Sequence, residues 1–256
     1  MRAVALIVAL ACGQGVGAAP VEVHPAGSSV PENLLRIELR FAQPQRLPFD
    51  IDRVRLLDAI GAPIRDALLD LTLPSADARR VTLLMNPGRV KTGVAPNLAM
   101  GRALHAGAAV RLVIGDPSDG SHAVVKDWIV TASEPAGPRP ERWRVSAPRV
   151  RTREALVVAL GAPISSAAEG LIAVSDCAGR RVSGRTTLSD GDSVWRFTPD
   201  APWQKGAHAV VVHPDLEDPA GNRRCAAFEQ PHASEARCDA GVTIPFQPAD
   251  TRRPRS

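Results

Sequence analysis

The segment HPDLEDPAGN, His213 to Asn222, combines three carboxylates with an asparagine, two prolines and a glycine. Ca²⁺ takes six to eight oxygen ligands from carboxylates, amides and carbonyls. The candidate ligands are Asp215, Glu217, Asp218 and Asn222. The segment lacks the alternating acids around a central glycine of an EF-hand loop. Proline and glycine here are also typical of a turn, with Pro219 at the first central position and Gly221 or Asn222 at positive φ. We favour the turn and keep calcium as the alternative.

Other residue patterns that would support catalysis do not occur in the sequence. The histidines number 6, and they are scattered without a zinc-binding spacing. No Gly-x-Ser-x-Gly motif is present for a serine hydrolase. The acids of SDGDS surround Asp190-Gly191, a pair typical of a β-hairpin. Trp195 and Phe197 have the same strand parity and are predicted to be core residues, although exposed tryptophans would suggest sugar stacking. We therefore predict no enzyme activity and no cofactor.

The N-terminus has the layout of a secretory signal, and we place cleavage after Ala18, which gives a signal peptide of residues 1–18. In the competing interpretation, Ala9-Leu10-Ala11-Cys12 is a lipoprotein box and Cys12 carries a lipid. No other segment is apolar for long enough to span a bilayer. We expect export to the periplasm or cell surface.

The remaining cysteines are Cys177, Cys225 and Cys238, an odd number for an oxidising compartment. We prefer a Cys225–Cys238 disulfide with Cys177 free, and a Cys177–Cys238 bridge is the alternative. The formal net charge is +4, and the only basic cluster is the tail TRRPRS. A nucleic-acid-binding protein gathers its arginines into a stripe, so we expect no nucleic-acid partner.

Past the signal, short apolar segments are separated by Gly, Pro, Asp and Asn, and LLRIELRF alternates with period two. This pattern predicts an all-β protein. RVRLLDAIGAPIRD aligns with LIAVSDCAGRRVSG, RRVTLLMNP with SVWRFTPD, and HAGAAVRLVI with QKGAHAVVV. SDGSHAVVKDWIV then takes the place of EDPAGNRRCAAFE. A repeat in constant order predicts two β-sandwiches in tandem.

The repeat sets the predicted boundaries. They are a first sandwich at 20–133, a Pro-rich linker at 134–142, a second sandwich at 143–247 and a basic tail at 248–256. The first copy has a loop insertion at about 86–104. This insertion is a candidate binding loop, since loops on a rigid scaffold often carry function. Its candidate residues are Arg89, Lys91, Asn97 and Arg102. The alternative is a lid with Val90, Val94 and Leu98 packed inward.

The segments VPENLLRIELRFAQP, VRLLDAIGAPI and LEDPAGN resemble those of bacterial immunoglobulin-like domains of the S-layer (SbsA-like) type. The resemblance implies tandem immunoglobulin-like (Ig-like) β-sandwiches outside the cytoplasm, without catalytic residues. Our leading hypothesis is a non-enzymatic envelope protein with structural or protein-interaction roles and an envelope protein as partner. The alternatives are a Ca²⁺- or glycan-binding module that uses loops at the sandwich ends, and an accessory subunit of an envelope enzyme.

Overall fold

The computed structural model describes residues 21–90, 95–115, 123–224 and 240–250. These residues form four β-sheets around two separate hydrophobic cores. The first core contains Ile37, Leu83 and Trp128, and the second contains Leu156, Trp195 and Val210. The chain is therefore an all-β protein with two tandem β-sandwich domains, as the repeat predicts.

The first domain has eight strands in two sheets. In chain order they are β1 (Val21–His24), β2 (Ser29–Pro31), β3 (Arg36–Phe41), β4 (Val54–Leu57), β5 (Leu68–Pro74), β6 (Arg80–Met85), β7 (Ala109–Ile114) and β8 (Val124–Thr131). One sheet has the order β1-β3-β6-β5 and the other β2-β8-β7-β4. All pairs are antiparallel except β2 with β8. Two α-helices lie between β6 and β7, α1 (Pro87–Val90) and α2 (Ala95–Met100).

The second domain has seven described strands. They are β9 (Arg144–Ser146), β10 (Leu156–Ala159), β11 (Ile172–Ser175), β12 (Gly184–Ser189), β13 (Val194–Pro199), β14 (His208–Val212) and β15 (Val242–Phe246). The sheet orders are β12-β13-β10-β9 and β11-β14-β15. Short 3-10 helices occur at Ile51–Arg53 in the first domain, at Pro140–Arg142 between the domains and at Ser166–Leu171 in the second.

Both domains have the strand order of the immunoglobulin fold. When the seven strands are lettered A to G, that fold pairs A, B, E and D in one sheet and C, F and G in the other. Strands β9 to β15 follow this scheme in chain order. The first domain follows it as well, with β2 as a second part of strand A that pairs in parallel with strand G. The two domains are therefore Ig-like.

Several local predictions agree with the structure. Trp195 and Phe197 stack in the second core with ring centroids 5.9 Å apart. Asp190 and Gly191, at φ 52 and 67, lie in the β12–β13 hairpin, as the Asp-Gly pair predicts. Within EDPAGNRRCAAFE, the segment aligned with the end of the first copy, residues 217–224 form a turn with one bridge and residues 225–229 lie outside the described residues. The last described strand is Val242–Phe246, and it pairs with β14.

Candidate interaction surfaces

The segment 213–222 forms a tight turn at one end of the second domain. The amide of Gly221 donates to the carbonyl of Asp218 at 3.0 Å, so Pro219 takes the first central position of a β-turn. Gly221 has a φ of 78, as predicted for this position. The amide of Asn222 donates to Oδ1 of Asp218 at 2.8 Å. The side chains of Asp218 and Asn222 are buried, so they stabilise the turn from within.

The remaining candidate calcium ligands are paired with basic side chains. Glu217 contacts Arg36 of the first domain and Arg223 of its own, the latter at 3.1 Å. Asp215 lies 3.0 Å from Nη1 of Arg223. Within the described ranges, no group of three or more His, Cys, Asp or Glu side chains is arranged to hold a metal ion.

Asp218 is a buried carboxyl with a strongly shifted acidity. Burial raises its pKa to about 7, although hydrogen bonds from Asn222 act in the opposite direction and nearby Glu134 adds to the rise. The side chain is therefore close to half protonated at neutral pH. The stability of the turn is coupled to pH through this group.

The end loops of the second domain pack against the outer face of β3. Three loops contribute: the β10–β11 connection, the β12–β13 hairpin and the turn after β14. Glu38 is 2% exposed and accepts hydrogen bonds from the hydroxyls of Ser165, at 2.6 Å, and Ser166. Arg40 donates to Glu169 at 2.6 Å. In variable immunoglobulin domains, two of the corresponding loops bind antigen.

Two further contacts extend the joint between the domains. Nδ1 of His24 lies 2.8 Å from Oδ1 of Asp192, and the amide of Ala26 donates to the other oxygen of Asp192 at 2.7 Å. The amides of Leu35 and Arg36 donate to the carbonyl of Pro219 at 3.0 and 3.2 Å. The segments VPENLLR and LEDPAGN thus meet across the joint. Their main-chain and buried side-chain hydrogen bonds fix how the domains are placed.

The Pro-rich connector is held against this joint. The carbonyl of Glu134 accepts from Nδ2 of Asn33 and Nδ2 of Asn222, each at 2.9 Å. Gly137 passes so close to Arg223 that an added Cβ would lie 2.2 Å from the Arg223 carbonyl oxygen. The segment predicted to be an extended connector therefore contacts both domains, and Pro140–Arg142 forms a turn of 3-10 helix.

A cleft of about 380 Å³ lies between the domains beside the connector. Its walls include Val30 of the first domain, Trp143 and Ile164 of the second, and Asp218 and Pro219 of the turn. The cleft is mainly apolar with a few polar side chains, which is the usual composition of a small-ligand site.

The predicted binding loop of the first domain is organised around a buried arginine. Arg89 donates to the carbonyls of Gly101, at 2.8 Å, and Arg65. Arg102 lies 2.9 Å from Oε1 of Glu32. Asn97 is partly buried on α2, and Lys91 lies outside the described residues. Of the alternative lid residues, Val90 is buried, Leu98 is exposed and Val94 is outside the description.

The cysteine and lipidation predictions fall largely outside the described part of the chain. Cys12, Cys225 and Cys238 lie there, together with the predicted signal peptide. Cys177 is exposed and free. No helix within residues 21–90, 95–115, 123–224 and 240–250 is long and apolar enough to cross a membrane.

Among the residues that the structure describes, large and strongly exposed apolar side chains occur in the first domain. Among the described residues there are eight large ones: Leu47, Ile60, Leu71, Leu73, Leu98, Met100, Val125 and Ile129. Val125 and Ile129 lie on the outer face of β8, and Leu71 and Leu73 on β5. A surface with clustered apolar residues is a candidate contact surface.

Comparisons with known proteins find likeness at the level of tandem Ig domains. No family model matches the chain, and no curated protein matches it. Among solved structures, the titin domains z1z2 in complex with telethonin match 85% of this chain and 88% of that chain, at 11% identity and a TM-score of 0.25. The N-terminal Ig1-2 module of the Drosophila receptor protein tyrosine phosphatase DLAR matches 76% and 91%, at 13% identity and a TM-score of 0.24. The Ig-like assignment rests on the strand order of this chain.

Sequence reasoning missed the residues of the joint. Arg36, Glu38 and Arg40 alternate along β3 and have the pattern of a solvent face, yet they contact the second domain. The only local signal is the alternating charge of RIELR. Nothing local connects His24 with Asp192, which is 168 residues away.

Proposed function

We propose that the protein is a non-enzymatic envelope protein. Its first domain binds a protein partner, and its second domain holds the first domain in a fixed orientation. The observation that supports this most strongly is the asymmetry of the surface: all eight strongly exposed large apolar side chains among the described residues belong to the first domain. The loops with which a variable domain binds its ligand are, in the second domain, packed on the first.

Export to the periplasm or cell surface is part of the proposal and is supported by the layout of residues 1–18. The S-layer resemblance enters the proposal on the motifs VPENLLRIELRFAQP and LEDPAGN. Mass spectrometry of the mature N-terminus tests the route of export. Soluble export predicts a chain that begins at Ala19, and the lipoprotein alternative predicts a diacylglycerol on Cys12.

The interaction role is tested by capture of a partner from envelope extract. We expect the mature protein to enrich at least one envelope protein, and the double variant Val125→Lys/Ile129→Lys to lose it, because two charges on the outer face of β8 disrupt an apolar contact. The matched control is Thr198→Lys/Thr243→Lys, which places two charges on exposed strand positions of the second domain. Equal capture by all three proteins, or no capture by the unaltered chain, contradicts the proposal.

A further inference from the structure

The two sandwiches differ at their open sides. In each Ig-like domain, strands C and D of the A-to-G scheme lie at the edges of opposite sheets. They are β4 and β5 in the first domain and β11 and β12 in the second. An edge strand presents main-chain N–H and C=O groups that lack a partner strand. The space between the two edges is therefore either covered by another part of the chain or open to solvent and to another molecule.

The second domain fills this space itself. Its 3-10 helix, Ser166–Leu171, packs against β11 and β12 and buries Ala168 among the core residues. The corresponding helix of the first domain, Ile51–Arg53, is half as long and buries none of its residues. A groove of about 310 Å³ remains between β4 and β5.

The groove has an apolar base and an acidic rim. Val54, Leu56 and Leu68 contribute apolar side chains. The rim carries Asp52, Asp66 and Asp70 against one base, Arg55. Over the described ranges, none of the three aspartate carboxylates makes a hydrogen bond or an ion pair. Arg53 and Arg65 adjoin Asp52 and Asp66 in the sequence but do not line the groove. The lining side chains of the groove are therefore mainly acidic, which favours a basic occupant.

The free edge of β5 has the correct phase to accept a strand. The amide of Asn86 donates to the carbonyl of Ala67, and that of Ser75 to the carbonyl of Arg80, each at 2.8 Å. The register of β5 against β6 shifts at a bulge between Leu68 and Thr72. Because antiparallel strands alternate between bonded and non-bonded residues, the main-chain groups of Leu68 and of Thr72, on either side of this bulge, point away from β6. The half-exposed side chains of Leu71 and Leu73 would flank an added strand.

We propose that the edge of β5 is an acceptor site for an extended, basic segment of a partner polypeptide, which pairs with Leu68–Thr72 and places lysine or arginine side chains beside Asp52, Asp66 and Asp70. This inference rests on the proposed interaction role of the first domain. Pairing β5 with β5 of a second copy would place the same three acids of each copy near one another, and this repulsion disfavours self-association.

The probe is a capped heptapeptide, Lys-Val-Thr-Val-Lys-Val-Thr, titrated into the full mature chain and followed by amide NMR and hydrogen exchange. We expect shift changes confined to β5 and its neighbours, and new exchange protection of the Thr72 amide. Thr72→Pro removes this outward donor, and proline is tolerated at an outward-facing edge position. The matched control is Thr186→Pro on β12, where the bond from the Asp200 amide to the Ser183 carbonyl sets the same outward phase. We expect Thr72→Pro to weaken binding at least about tenfold and Thr186→Pro to leave it unchanged.

A second pair of measurements tests the charge without altering the backbone. We expect binding of the lysine peptide to weaken about tenfold in the triple variant Asp52→Asn/Asp66→Asn/Asp70→Asn. A peptide with glutamate in place of lysine should bind the unaltered chain no more tightly than the lysine peptide binds the triple variant. No perturbation of β5 at millimolar peptide overturns the proposal, as does equal binding to the Thr72→Pro and Thr186→Pro proteins. Dimerisation through β5 overturns it as well. If a partner is captured through β8 while these peptide results are negative, the acceptor site is rejected and the interaction role stands.

Discussion

The two domains share one strand order and use it in different ways. The second domain presents its end loops to the first, so that Ser165, Asp192 and Pro219 contact the neighbouring sheet. It also fills the space between its own edge strands with a 3-10 helix. The first domain gives one sheet face to this joint and leaves apolar side chains on β5 and β8 exposed. The same fold thus packs its end loops on a neighbour in one copy and leaves apolar strand faces exposed in the other.

This difference explains why the segment that looked most like a functional site is structural. In a single Ig-like domain, an acidic turn such as 213–222 would face solvent and could bind a ligand. Here Ala220 is fully buried and the carbonyl of Pro219 accepts two amides from the first domain. The turn is specialised for joining the domains.

The largest predicted effect comes from the buried pair at the joint. Asp192→Ala leaves the His24 ring and the Ala26 amide buried without their carboxylate, which costs about 3 kcal/mol of unfolding free energy. Asp190→Ala is the matched control, because Asp190 lies in the same hairpin, also at positive φ, with an exposed side chain. For Asp190→Ala, the free energy of unfolding measured in urea should fall by the backbone cost of alanine at positive φ plus less than about 1 kcal/mol. Equal losses for the two variants would show that the joint contributes no stability.

The acidity of Asp218 gives a smaller effect with a defined sign. Since its pKa is raised to about 7 in the folded chain from an ordinary value of 3.8, the folded state binds the proton more tightly. Stability from this group is therefore fully present below about pH 4 and is lost as the pH rises towards 7. Between pH 5 and 8 the unaltered chain should lose about 2 kcal/mol relative to Asp218→Asn.

The comparison at two pH values cancels any constant cost of the Asp218→Asn substitution. Urea unfolding of both proteins at pH 5 and pH 8 provides the measurement. If the free energies of unfolding of the two proteins changed in parallel with pH, the carboxyl of Asp218 would be solvated, and this result would contradict its burial in the turn.

The smallest effect concerns Gly221. A Cβ at this position would lie 2.6 Å from Cδ2 of Leu35 across the joint, at a φ of 78. Gly179 has a φ of 73 with nothing within 4 Å, so Gly179→Ala reports the cost of the backbone conformation alone. We expect Gly221→Ala to be more destabilising by about 1 kcal/mol, the cost of displacing the Leu35 side chain. Identical midpoints in thermal unfolding would contradict a close contact there.

The fold was predictable from the sequence because strand periodicity and turn residues are local. The aligned segments RVRLLDAIGAPIRD and LIAVSDCAGRRVSG contain β4 and β11, which are strand C of their domains in the A-to-G scheme. The joint was not predictable in the same way. Charges that alternate on a strand have the same pattern whether they face water or another domain, as Glu38 illustrates. The last described strand, Val242–Phe246, lies beyond the segments aligned in the repeat.

We infer that the loops of the second domain hold the first domain in one orientation. Residual dipolar couplings of backbone amides, measured for the strands of both domains of the unaltered chain, test it directly. We predict that a single alignment tensor fits β3 and β6 together with β10 and β13, and that Asp192→Ala, but not Asp190→Ala, separates the two domains into different tensors. Two alignment tensors of different magnitude in the unaltered chain would show that the two domains are not held in one orientation.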